Sequence, residues 1–127
     1  MEALTKISMV AVGGAFGAVA RYLINISPLA GLFGKFPFPT FVINVVGSFL
    51  IGFCLYFFTD KFDIGENLRL AIIVGLLGAF TTFSTFEMEV YGLVKDRAIS
   101  TALLYLILSV AVAFIGLVAG IALAKRI

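Results

Sequence analysis

A chain of 127 residues that is 62% hydrophobic and only 13% charged, with a mean hydropathy of +1.19, cannot cover itself with a surface that water tolerates. Those proportions exclude a soluble globular domain and make the chain an integral membrane protein. The absence of histidine removes the usual general base and the commonest metal ligand, and the single cysteine, Cys54, supports neither a disulfide nor a metal site. No nucleophile paired with a base remains, so an enzyme is not expected.

A bilayer core of roughly 30 Å needs about 20 apolar helical residues. Four such stretches are visible, at about residues 4–26, 40–58, 68–94 and 99–123, and they predict an all-α fold, one four-helix membrane domain over residues 1–127. In the first stretch Lys6, an apolar run and Ala18-Val19-Ala20 look like a cleavable leader. The run Gly13-Gly14-Ala15-Phe16-Gly17 argues for a retained span, because close-packing glycines have no use in a disposable segment. Pro28, Gly31, Gly34 and Pro37 break the chain before the second stretch, Thr59 to Asn67 before the third, and Lys95 to Ala98 before the fourth.

Each stretch carries polar or small residues at helical spacing. In the first, Gly13, Gly17, Arg21 and Asn25 share one face; in the second, Thr40, Asn44 and Ser48 recur at every fourth residue. The third contains Gly75, Gly78 and the pair Thr81-Thr82, which weaken helix propensity and predict a break near its middle. Such a break would free carbonyls for a cation and amides for an anion. Phe83 and Phe86 lie three apart, interleaved with Thr82, Ser84 and Thr85. A phenyl ring is partly positive at its edge, so ring edges beside hydroxyl donors solvate an anion weakly, which suits passage. Near the end of this stretch Glu87 and Glu89 are acids that an anion path should avoid when charged. In the fourth, Thr101, Tyr105 and Ser109 repeat the polar stripe, and Gly116 with Gly120 forms a small-xxx-small pair. The stripes are best explained as one shared polar path, and four helices enclose so little that a second copy is needed to bury them.

Four crossings put both termini on one side, with Lys6, Lys61, Arg69, Lys125 and Arg126; the other side holds Arg21, Lys35, Lys95 and Arg97. Orientation follows the excess of Lys and Arg in cytoplasmic loops. Five against four is no excess, and it allows insertion both ways round and an antiparallel homodimer.

The chain resembles the Fluc (CrcB) fluoride channels over nearly its whole length. The resemblance rests on Gly13 to Tyr22, on Pro39 to Phe49, and on Gly75 to Phe86 with Thr81-Thr82-Phe83-Ser84-Thr85-Phe86 intact. It implies a fluoride-selective ion channel of the bacterial plasma (inner) membrane, exporting fluoride passively through two pores of a dual-topology homodimer, with a structural sodium ion (Na+) on the two-fold axis. It further implies Phe83 and Phe86 as the pore phenylalanines, with Asn44 as an amide donor beside them. The backbone carbonyls of Gly78 and Thr81 would hold the sodium ion, Tyr105 and Ser109 would continue a hydroxyl track, and Arg21 would lend positive potential to a vestibule. Glu89 matches the acid that follows the phenylalanine motif, where it would bind polar groups of a neighbouring helix. The chain departs from the family at Ala79, where a glycine is frequent; alanine favours helix and implies a tighter break.

Two other readings fit a small four-helix chain. A dual-topology, proton-coupled multidrug exporter needs an acid within its first helix, and here none follows Glu2 in that stretch. A purely structural membrane subunit would carry no ion flux.

Overall fold

The computed structural model describes all 127 residues. Four helices occupy the apolar stretches: α1 (Glu2–Asn25), α2 (Phe38–Lys61), α3 (Glu66–Lys95) and α4 (Ile99–Arg126), with no strand anywhere in the chain. At 1.5 Å per residue the shortest is roughly 36 Å long, enough to cross a hydrocarbon core of about 30 Å with its ends in the headgroups. The ends lie within three residues of the sequence expectation. The largest extensions are at the C-termini of α2, which finishes in a π-helical turn (Phe57–Lys61), and of α4.

Local chemistry sets these ends. The Ser27 hydroxyl donates to the Ile24 carbonyl at 2.6 Å, and the chain then turns through Gly31 (φ 87°) and Gly34 (φ 62°), conformations that favour glycine. Pro39 sits in the first turn of α2, where a missing N–H costs no helical bond. Glu66 opens α3, where the helix dipole favours an acid, and Lys6 bridges it (3.0 Å) to Glu2 (3.3 Å), tying the start of α1 to the start of α3. Lys61 Nζ donates to the Lys125 carbonyl at the end of α4 (3.0 Å).

The helices pack as two pairs, each running in the same direction. In one, α1 lies against the first half of α3. A Cβ on Gly13 would meet the Ala71 carbonyl, one on Gly17 the Leu76 carbonyl, and one on Gly75 the Val10 carbonyl, so backbones touch where a larger residue would hold them apart. In the other pair, α2 lies on α4, with Gly52 against the Leu117 backbone and Gly120 against that of Phe49. Gly13, Gly17 and Gly75 therefore serve helix contact. Gly75 does not break α3: Leu70–Leu77 runs as π-helix and Gly78–Phe80 as α-helix, and the chain opens only at Thr81 (ψ 155°) before Ser84–Lys95 resumes the span.

Candidate functional site

The opening in α3 is held by a side chain of α2. Asn44 Nδ2 donates to the Thr82 carbonyl at 3.0 Å, and the Thr82 N–H donates to Asn44 Oδ1 at 2.8 Å. One amide thus replaces, for one residue, both backbone bonds that the helix has lost, in a medium that offers none. The Thr82 hydroxyl accepts the Thr85 N–H at 3.2 Å and starts the second half of α3, while the Thr81 hydroxyl donates back to the Leu77 carbonyl at 3.0 Å.

These substitutions free two acceptors. In an unbroken helix the Thr82 and Thr85 amides would donate to the carbonyls of Gly78 and Thr81; here they go to Asn44 and to the Thr82 hydroxyl. Two backbone carbonyl oxygens are thereby released from helical bonding at the break, and hard oxygen donors are the kind that a cation such as Na+ takes. No cluster of three acids, cysteines or histidines exists that would hold a metal through those side chains.

A cavity of about 410 Å³ opens beside the break, lined by Asn44, Ser48, Gly78, Thr81, Thr82, Phe83, Phe86 and Ser109, with Val110 and Ala113. Asn44 and Ser48 of the α2 stripe and Ser109 of the α4 stripe therefore meet α3 at one place. The Ser109 hydroxyl is buried with no partner in the chain, a donor available to whatever enters. The rings of Phe83 and Phe86 are 6.0 Å apart and inclined by 52°. Their settings differ: Phe86 is 5% exposed and Phe83 is 73% exposed, so one ring is seated within the subunit and the other projects from it.

The remaining sequence candidates lie outside this cavity's lining. Tyr105 is fully buried, edge-on to Phe86 (5.0 Å) and to Phe36 (5.2 Å), and its hydroxyl donates to Glu89 Oε1 at 3.0 Å. Thr40, also buried, neighbours both Glu89 and Tyr105. Glu89 thus binds the hydroxyl of a neighbouring helix, and Tyr105 supports the Phe86 ring while lying outside the cavity lining. Thr85 and Glu89 border a second, polar cavity of about 430 Å³ with Asn25 and Lys35. Arg21 reaches Thr85 (Nη1 to Oγ1, 3.5 Å), leaving its buried Nε unpartnered. Ser84 faces outward, away from both cavities. Phe36 and Lys35, in the connector before α2, are not among the site residues expected from the sequence, where Lys35 counts only toward the charge of that side. The signal available was aromatic residues, Phe33, Phe36 and Phe38, set among turn formers.

The sequence model of the family described as "CrcB-like protein, Camphor Resistance (CrcB)" matches residues 8–121. A protein of Magnetococcus marinus named "Fluoride-specific ion channel FluC" is 44% identical over 119 residues, covering 91% of this chain and 97% of that one. Proteins of the same name from Hahella chejuensis (43% identical; 93% of each chain) and Geobacter sulfurreducens (40% identical; 98% of this chain, all of the relative) align equally fully. These relatives are ion channels by name, not enzymes, and with four apolar helices they place the chain in the bacterial plasma membrane as an integral protein. From the match along nearly its full length, this chain belongs to the CrcB family.

Proposed function

We propose that this chain is the subunit of a fluoride-selective channel that lets fluoride leave the cell passively. The observation that carries the reading is the convergence of Phe83, Phe86, Asn44, Ser48, Thr82 and Ser109 on one cavity at the break of α3. Ring edges and hydroxyl or amide hydrogens present partial positive charge without a fixed cation, so a small anion is stabilised yet still released. No charged side chain lines that cavity. Arg21, hydrogen-bonded to Thr85 beside the neighbouring polar cavity, adds positive potential that favours anions at this end of the subunit.

The subunit is expected to work as an antiparallel, dual-topology homodimer with two pores. Phe83 is mostly exposed and Ser84 faces outward, so a polar edge would meet lipid unless a second copy covered it. The freed carbonyls of Gly78 and Thr81, doubled by the two-fold axis, fit a central sodium ion. Bound there, the ion would join the subunits and offset the cost of holding an anion nearby in a low dielectric.

The test is efflux from liposomes holding purified protein, with fluoride and chloride compared. Rapid loss of fluoride with chloride retained is expected. Equal loss of both would remove selectivity from the reading, and no loss of either would leave a structural subunit.

A further inference from the structure

At the end of the bundle away from the termini, a groove of about 420 Å³ separates the start of α2 from the start of α4. Its walls are Phe33, Phe36, Phe38, Phe41, Leu104 and Leu108, and its polar lining is Lys35 and Thr101. It is distinct from the cavity at the α3 break, with which it shares no residue.

Three features at its mouth favour negative charge. α4 has neither a side-chain cap nor an acid in its first turn, so its N-terminus presents open amides and the positive end of its dipole, while the first-turn amides of α2 are spent on Phe36 and Pro37 or removed by Pro39. Lys35 is exposed and forms no ion pair, since the ion pairs of this chain are those of Lys6. Thr101 adds a hydroxyl. Beneath that mouth every wall residue is apolar, and the depth lies at the edge of a membrane-spanning pair, where an acyl chain belongs and a free inorganic anion does not.

We propose that this groove holds an acyl chain of an anionic phospholipid, with its phosphate met by Lys35, the Thr101 hydroxyl and the N-terminal amides of α4. The size is that of a small-ligand site, and basic pockets between spanning helices are where anionic headgroups are bound. Lys35 also borders the polar cavity holding Thr85 and Glu89, so the headgroup sits at its rim.

The chain has no tryptophan, so Leu104→Trp, at a half-exposed position, places a lone indole on the groove wall. The full-length variant is reconstituted in vesicles of equal parts phosphatidylglycerol and phosphatidylcholine, with brominated chains on one lipid or the other. Stronger quenching by brominated phosphatidylglycerol is expected, with the preference reduced about fivefold by Lys35→Gln. Equal quenching by the two lipids, or a preference that Lys35→Gln leaves intact, overturns the proposal. So does the absence of quenching by either, the result if a second copy of the chain fills the groove. Native mass spectrometry of the unsubstituted protein released from the same vesicles gives an independent reading: retained phosphatidylglycerol in excess of phosphatidylcholine is expected, and equal retention overturns the site.

Discussion

Asn44 holds Thr82 by both ends of its side-chain amide, donating to the carbonyl at 3.0 Å and accepting from the N–H at 2.8 Å. This single residue of α2 therefore keeps α3 open while lining the cavity beside it. Asn44→Leu removes both bonds. Hydrogen bonds between membrane helices contribute about 0.6–1.7 kcal/mol each, so a loss of about 1–3 kcal/mol in stability is expected together with loss of fluoride flux. Thermal unfolding in detergent and liposome efflux measure the two. Unchanged melting would show that the clamp does not hold the break.

The two phenylalanines separate packing from conduction. Phe86 is buried against Tyr105, so Phe86→Ile should cost about 1–1.5 kcal/mol. Phe83→Ile, at an exposed position, should change stability by no more than about 0.5 kcal/mol. Isoleucine has no aromatic quadrupole, and fluoride flux is expected to fall greatly in both. Flux near wild type in both folded variants would leave the anion path without support.

Glycine content can be sorted by what each position touches. A Cβ at Gly17 would run into the Leu76 backbone, and α1 would have to move off α3. Gly17→Ala is therefore expected to destabilise by about 1–3 kcal/mol or more. Gly92 has open space around it, and Gly92→Ala should stabilise by about 0.5–1 kcal/mol through helix propensity. Melting temperatures shifting in the same direction would contradict this division.

If the carbonyls freed at Gly78 and Thr81 hold Na+, the ion stabilises whatever form binds it. At a concentration of 100 times the dissociation constant the gain is about 2.7 kcal/mol. Dimer stability should be higher in sodium than in N-methyl-D-glucamine at equal ionic strength. Identical unfolding in the two salts would dismiss the site.

Near-equal counts of Lys and Arg at the two ends predict insertion in both orientations. A tag on either terminus should be detected on both faces of the membrane, and several lysines added to one connector should trap a single orientation. Detection on the cytoplasmic face alone would end the antiparallel arrangement.

Length and apolarity are properties of a continuous segment, so the sequence by itself determined the four spans, their short connectors and the weak point in α3: each depends only on neighbours along one helix. The periodic placement of Thr40, Asn44, Ser48, Tyr105 and Ser109 likewise identified which faces are polar. Which polar groups meet was decided only by the tertiary structure, because partners on different helices are chosen by crossing geometry. Thus Asn44 meets Thr82, Glu89 takes the Tyr105 hydroxyl, Ser109 enters the cavity with Phe86, and Ser84 turns outward. The same holds for Gly75. Its low helix propensity marks it as a candidate break, yet the close approach of α1 at Val10 uses its missing side chain for contact, and the chain opens six residues later at Thr81.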